Sequence, residues 1–547
     1  MREIKGIGIS EGIAMGKVRF LGAAKAPAAG HAGSAEEEYN RYLKALDETD
    51  SQLEKLYLKA QQTAGNEQAE IFAIHRMMLG DPEFGEIVKQ VTSGGRTAEY
   101  AVSVAAKQLS MRLEKMNDDY MRARAADVLD AARSLQNTLS GSGEINIDLP
   151  AVIAAKELMP SDTVRIDRSV ILGFVTNRGS VNSHMAILAR SMQIPALVCD
   201  VDLSEINGSF CIVDGGTGKL IIDPTPYVTA SYNIMQEEMK KTRERLKKLI
   251  NAPSVTKNGA RFSIFANIAS SADALDAKKQ GAEGIGLFRS EFLYIGKTAP
   301  PTEGEQFEHY RSVLNSFPDS TVIIRTFDIG ADKRADYLRM LNEENPALGF
   351  RGIRLFLKRE ELAVTQFCAI LRAAAFGDIR IMLPMITDGQ QILDAKKLLQ
   401  KAKQKLERRG EKFCSDIKLG IMIETPAAAL ETERLCEYSD FFSIGTNDLI
   451  QYTLAADRQN ENVAALCNAA HPSVLKLIKI SVEAAKKHGK WIGICGEAAR
   501  DTSLTPFFLS LGVDELSVSP GFITNLRNAA ADIDTSNADE IIKGYLE

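Results

Sequence analysis

The stretch Leu419–Ala428, LGIMIETPAA, decides the fold. A short apolar run ends on a carboxylate, Glu424, and Thr425-Pro426 then opens a run of alanines. An apolar run of strand length followed at once by a helical segment is the unit of a β/α repeat. Working outward, the same unit recurs. Strands are expected near Phe262–Ala266, Gly284–Leu287, Val322–Arg325, Gly349–Ile353, Ile379–Leu383, Leu419–Ile423, Phe441–Ile444 and Trp491–Cys495. The stretch Gly349–Ile353 is short and Gly-rich. Eight strands, each with its helix, in about 290 residues match a (β/α)8 barrel, a TIM barrel, whose usual size is about 250 residues.

Such barrels carry their chemistry at the C-terminal ends of the strands. The sequence places there Arg289 (GLFRSEF), Arg325 (IIRTFD), Arg351 (GFRGIR), Glu424, Asn447-Asp448 (SIGTNDL) and Cys495 (GICGEAA), with Arg458 following in AADRQN. Guanidinium groups grip phosphate and carboxylate through paired hydrogen bonds. Two carboxylates with substrate oxygens suit Mg²⁺, which seldom takes an all-protein cage. The ligand expected is small, anionic and equipped with both phosphate and carboxylate. Each residue also has a plainer reading. An arginine can serve an ordinary ion pair, Glu424 or Asp448 can cap the following helix, and a lone cysteine can be a small buried hydrophobe. Their coincidence at one end of the strands favours the site.

The N-terminal half differs. Residues 1–25 are Gly-rich with strand-like runs at Ile7–Ile9 and Val18–Leu21. From about Ser34 to Ser140, Tyr39, Tyr42, Leu43, Leu46, Leu53 and Leu56 recur at helical spacing, and further helical runs follow at 67–79, 97–116 and 119–139. Breaks fall at Gly65, Gly80-Asp81-Pro82 and Gly94-Gly95, which predicts an all-helical subdomain of hairpins. Short strands return at Ala151–Ala154, Val170–Phe174, Ala196–Val198 and Phe210–Val213. Asp214–Leu220, DGGTGKL, resembles a phosphate-binding loop, but Leu220 stands where Ser or Thr is needed, so a hairpin turn is expected. Residues 226–251 read as one charged linker helix.

Composition excludes several classes. The 547 residues exceed one core and imply several domains. A net charge of −6 leaves no basic footprint for nucleic acid. No apolar run reaches the ~18 residues of a membrane span, and the opening MREIKGIGIS lacks a signal-peptide core. Seven scattered cysteines without a CxxC pair fit a reducing cytoplasm.

One histidine draws attention. In Gly179–Arg190, GSVNSHMAILAR, His184 follows small residues and opens a helical run. A helix N-terminus disfavours the imidazolium, keeping the ring neutral and nucleophilic, and stabilises an attached phosphoryl group. The alternative is a capping or core histidine.

GSVNSHMAILAR resembles the phosphohistidine motif of phosphoenolpyruvate-using phosphotransferases. GIGLFRSEFLY, IIRTFDIGADK, EENPALGFRGIR, IMIETPAAA, FFSIGTNDLIQYTLAADR and GICGEAA resemble the motifs of the Enzyme I family of the sugar phosphotransferase system. So do the opening KGIGISEGIAMGKV and the insert with AEIFAIHRMML, so the resemblance spans nearly the whole chain. It implies that His184 takes the phosphoryl group and that Arg289, Arg325, Asn447, Asp448 and Arg458 hold phosphoenolpyruvate, with Arg351 supporting them. It implies Glu424 and Asp448 as Mg²⁺ ligands and Cys495 as the acid that turns the enolate into pyruvate. The domains implied are 1–33 with 141–225, an α/β phosphohistidine domain; 34–140, a helical subdomain that docks the phosphocarrier protein HPr; 226–254, a linker helix; and 255–547, the phosphoenolpyruvate-binding barrel, through which a homodimer forms. His184 would swing between barrel and HPr about the linker. The family's loop is often GGRTSHT, and here Ser180, Val181, Asn182 and Met185 replace the second Gly, Arg, Thr and final Thr. A pyruvate phosphate dikinase or phosphoenolpyruvate synthase would need a nucleotide-binding domain that no segment supplies. A binding protein that senses phosphoenolpyruvate without efficient turnover is supported only by the altered loop.

Overall fold

The computed structural model describes the chain except residues 22–33, 64–65, 116–118, 142–148, 157, 159–169, 178–184, 187–188, 191–193, 331–334, 339–342 and 461. The side chains of 59–63, 66–69, 119–123 and 336 also lie outside the description. Two compact units result, Met1–Lys241 and Thr242–Glu547.

The first unit holds a helical bundle of α1 (Ala35–Thr63), α2 (Asn66–Leu79), α3 (Pro82–Ser93), α4 (Ala98–Glu114) and α5 (Asp119–Ser140). The expected break at 80–82 is a helix start. The Asp81 carboxylate accepts the Glu83 N–H at 2.8 Å, with Pro82 at the first helical position. The break at 94–95 separates α3, which the sequence reading passed over, from α4, capped by Thr97. Gly65 lies outside the described residues. Tyr42, Phe72, Phe84, Val102 and Leu135 fill the bundle core. Each large apolar side chain so buried contributes about 1.5–3 kcal/mol.

Around the bundle's insertion point runs an eight-stranded mixed sheet, counted among the described residues, in the order β1-β8-β7-β3-β4-β5-β6-β2. Its strands are β1 (Arg2–Lys5), β2 (Ile7–Ser10), β3 (Ile13–Leu21), β4 (Ala151–Ala155), β5 (Ile171–Thr176), β6 (Ala196–Val198), β7 (Phe210–Asp214) and β8 (Lys219–Ile222). The false phosphate loop is indeed the turn of the antiparallel hairpin β7–β8, and the Asp214 carboxylate accepts the N–H groups of Gly216 and Thr217 within it. The helix α6 (Pro226–Lys248) contains the boundary between the two units. Its first half is tied to the sheet through Gln236, which donates to the Ile13 carbonyl at 2.9 Å.

The second unit is a closed parallel barrel of β9 (Ser263–Ile268), β10 (Ile285–Arg289), β11 (Val322–Arg325), β12 (Ile379–Leu383), β13 (Lys418–Ile423), β14 (Phe441–Ile444), β15 (Trp491–Ile494) and β16 (Glu515–Val518). Strand parity sorts the side chains. Leu287, Ile323, Met382, Met422, Phe441 and Cys495 form an interior cluster, while Ile264, Ile324, Ile421, Ile444, Ile494 and Leu516 face outward into the helix layer.

Two expectations are corrected. Gly349–Ile353 is no strand; it lies in the β11–β12 connection, after a 3-10 turn at Pro346–Leu348 and at the start of the helix Ile353–Lys358. Gly352 has φ +55°, where a residue with a side chain is strained, and a Cβ there would come 2.8 Å from Met385. The missing strand is β16, whose sequence ELSV turns two polar side chains, Glu515 and Ser517, toward the barrel interior. An apolar-run criterion cannot see such a strand.

Candidate active site

The strand ends and the loops after them build an open cleft of about 820 Å³ at the C-terminal face of the barrel. Arg289 closes β10, Arg325 closes β11, Glu424 follows β13, Asn447 and Asp448 open the helix Thr446–Leu454 after β14, and Cys495 follows β15. All six line the cleft, together with Arg458. Arg351 does not. It lies behind Asp448, 5 % exposed, donating to Asp448 Oδ1 at 3.1 Å and to Asp328 Oδ2 at 2.8 Å. The sequence set Arg351 beside the ligand-holding residues with a supporting role, and its guanidinium is committed to Asp448 and Asp328. His184 lies outside the described residues; the chain on either side is β5, ending at Thr176, and the buried helical residues Met185 and Ala186.

The electrostatics are dense. Arg325, 4 % exposed, is paired with Glu291 and lies 3.6 Å from Asp328 Oδ2. Burial alone would weaken its charge, but Glu291, Asp328, Glu424 and Asp448 more than offset that and hold the guanidinium firmly protonated. The same balance, led by Asp328 and Asp448, holds for Arg351. Two buried arginines thus face four carboxylates. Glu424 shows the excess. Burial first, then Asp448 and Asp328, push its carboxyl well above the usual carboxylate range, against the pull of Arg325 and Arg351. Its Oε1 accepts the Met385 N–H at 2.6 Å, while Oε2 is buried without a hydrogen-bond partner among the described residues. An orphaned carboxylate oxygen beside a second carboxylate fits a divalent cation. Among the described residues no cluster of three or more His, Cys, Asp or Glu exists that would hold such an ion unaided. Ligand oxygens would have to complete the shell, as Mg²⁺ prefers.

Donors face the cleft from other sides. Asn447 Oδ1 is engaged by the Glu497 N–H at 2.8 Å, which leaves its amide NH₂ to serve a ligand. Arg289 and Arg458 have no ion-pair partner among the described residues, and both border the cleft. Cys495 is 1 % exposed, and burial pushes its thiol up to about 12, so it stays a thiol throughout the neutral range. It should therefore resist alkylation by iodoacetamide near pH 8 while half-exposed Cys414 and Cys467 react, as peptide mass mapping would read.

The counter-ions Glu291 and Asp328 escaped the sequence reading, as did Tyr452, whose hydroxyl accepts from Arg351 at 3.3 Å. Glu291 and Asp328 stand two and three residues beyond arginines that were singled out, so short-range spacing held a usable signal.

Comparison with known proteins gives three family matches along the chain: the N-terminal domain of PEP-utilising enzymes over residues 5–124, their mobile domain over 147–218 and their PEP-binding domain over 243–535. A phosphoenolpyruvate-protein phosphotransferase of Bacillus subtilis (strain 168) is 38% identical over 98% of this chain and 96% of its own length. One of Listeria innocua is 40% identical over 98% of this chain and 95% of its own. A solution structure of an Enzyme I protein is 33% identical, covering 43% of this chain and 99% of its own, with a TM-score of 0.38.

Proposed function

The chain belongs to the PEP-utilising enzymes, among the phosphoenolpyruvate-protein phosphotransferases, and from that premise we propose how its own residues divide the reaction. Phosphoenolpyruvate binds in the barrel cleft. Arg289, Arg325 and Arg458 neutralise its phosphate and carboxylate, and the Asn447 amide donates to an oxygen between them. Arg351 keeps the Asp448 carboxylate in place from behind. Glu424 and Asp448 would hold Mg²⁺, which when bound supplies positive charge against the phosphoryl oxygens.

Phosphoryl transfer asks for in-line positioning and charge neutralisation rather than covalent help from the cleft. The acceptor is His184, whose neutral ring nitrogen attacks phosphorus as the bond to the enol oxygen breaks. The enolate left behind needs a proton on carbon. Cys495, held as a thiol at the cleft floor, gives it and pyruvate results. The phosphoryl group then passes from His184 to a histidine of HPr docked on the helical bundle. His184 and the cleft belong to different compact units, and in this reading the histidine swings between the cleft and HPr about the linker helix. A homodimer formed through the barrel and a cytoplasmic setting complete the reading. No helix among the described residues is long and apolar enough to cross a membrane.

The observation that carries this reading is the cleft itself, where three arginines meet an orphaned Glu424 oxygen and a protonated thiol. Its test is the affinity for phosphoenolpyruvate, measured by calorimetry with and without Mg²⁺. In wild type Mg²⁺ should tighten binding, and in Glu424→Gln that gain should fall by about 10-fold or more. Equal Mg²⁺ enhancement in the folded variant would contradict the assignment of Glu424.

A further inference from the structure

Beneath the cleft, the barrel interior contains a polar seam that the reaction as described leaves unused. Glu515, the first residue of β16, is 0 % exposed, and both its carboxyl oxygens lack a hydrogen-bond partner among the described residues. The Ser517 and Ser443 hydroxyls and Asn267 Oδ1 are buried too and make no well-formed hydrogen bond among the described residues, although Ser517 lies close enough to Glu515, and Ser443 to Cys495, to pull on their protons. Strand register brings them together. Gly493 of β15 pairs with Ser443 on one side and Glu515 on the other, and Cys495, just past the end of β15, is the next inward-facing residue. Two glycines make the room. A Cβ at Gly493 would fall 1.7 Å from Glu515 Oε2, and one at Gly286 would fall 2.2 Å from Glu515 Oε1. The Asn267 amide fastens the upper edge by donating to the Cys495 carbonyl at 3.0 Å and the Ser517 carbonyl at 3.1 Å.

Buried polar groups are ordinarily hydrogen-bonded, so five such oxygens in one barrel core mark a seam with a use. Burial, reinforced by Asp514, holds the Glu515 carboxyl far above the ordinary range against the pull of Ser517, so it is an uncharged acid. The groups facing Cys495 are Ser443, which favours its thiolate, and Glu515, Arg325 and Glu424.

We propose that Glu515 is the proton reserve of Cys495, acting through the Ser443 hydroxyl and water held in the seam. This rests on Cys495 being the acid of the proposed reaction. When the enolate carbon takes the thiol proton, the S–H bond breaks, a C–H bond forms from the enolate electron pair, and a thiolate remains facing newly made pyruvate. That thiolate is the base that would reverse the step. Ser443 passes its hydroxyl proton to sulfur and takes one from the seam, and the Glu515 O–H supplies it. The carboxylate so formed regains a proton along the same chain from solvent once pyruvate has left. Glu515 touches neither substrate nor metal; it acts through Cys495.

The test uses the full chain with Mg²⁺ and HPr as acceptor, following pyruvate from the first turnover onward across pH. Glu515→Gln should keep the KM for phosphoenolpyruvate within about two-fold and release its first pyruvate at the wild-type rate. Later turnovers should slow by about 10-fold or more, increasingly as pH rises and solvent protons become scarce. Ser443→Ala, which leaves the carboxyl in place, should show the same burst and the same pH trend, and it decides the matter if Glu515→Gln does not fold. Wild-type turnover and pH profile in a folded variant, or a pH-independent loss equal in first and later turnovers, would overturn the proposal. Cys495→Ala separates the two claims. If it makes pyruvate at the wild-type rate, the assignment of Cys495 fails and the reserve with it. If it is slow while Glu515→Gln is normal, only the reserve fails.

Discussion

Replacing His184 with alanine should reduce phosphoenolpyruvate-dependent phosphorylation of HPr to background, a loss of at least ~10³-fold, while the protein stays folded. The other described histidines cannot stand in. His75 is wholly buried beside Asp130, with neither ring nitrogen within reach of solvent. His471 spends Nδ1 in capping its own helix, accepting the Ser473 N–H at 3.2 Å. His488 sits at an exposed ion pair with Glu433, and His309 lies on the helix Glu303–Ser316 outside the strand-end cleft. Phosphoenolpyruvate binding to the barrel should survive in the same variant, because every cleft residue belongs to the second compact unit and residue 184 to the first. Calorimetry for binding and a gel-shift or radiolabel assay for HPr phosphorylation would read the two outcomes. A variant that still phosphorylates HPr would remove His184 from the reaction.

Arg325→Met should damage both stability and activity. The guanidinium balances Glu291, which is 0 % exposed, and Asp328, which is 1 % exposed. Methionine fills much of the volume but leaves those carboxylates without their shared cation. Removing one partner of a buried pair costs about 3–5 kcal/mol. The variant should therefore melt well below wild type, because Glu291 and Asp328 lose the cation they share, although Asp328 keeps its contact with Arg351. Phosphoenolpyruvate affinity should drop by about 10²-fold or more, because the site loses a charged bidentate donor in a partly enclosed cleft. Arg325→Lys keeps the charge without the fork and should recover stability better than affinity. Wild-type affinity in a folded Arg325→Met protein would place the substrate elsewhere.

The legible part of this molecule was its apolar punctuation. Seven of the eight barrel strands are apolar runs such as VII at 322–324 and IMI at 421–423, and where five of them stop, β10, β11, β13, β14 and β15, the cleft residues begin. Glu424, Asn447, Asp448 and Cys495 were found because they sit where a strand must end. The eighth strand hid because its inward side chains, Glu515 and Ser517, are polar, which is also why it contributes the seam below Cys495. GFRGI at 349–353 misled because it is a short run ending on an apolar residue where the repeat called for a strand, while Gly352 at positive φ breaks the extended backbone and a helix starts at Ile353. Pairings were out of reach for a different reason. Arg351 meets Asp448 across 97 residues and Glu424 meets the Met385 N–H across 39, distances over which sequence spacing has no meaning. Residues 178–184, with Ser180, Val181 and Asn182, lie outside the described residues, so the motif rests on sequence alone.

The most direct measurement is to incubate the intact protein with phosphoenolpyruvate carrying a labelled phosphoryl group and Mg²⁺, then locate the label by peptide mass mapping under basic conditions. The expected result is one acid-labile, base-stable phosphoryl group on His184, lost to HPr when HPr is added. No label on the folded protein, or label on any other residue, would contradict the account and leave the chain as a phosphoenolpyruvate-binding protein without the transfer.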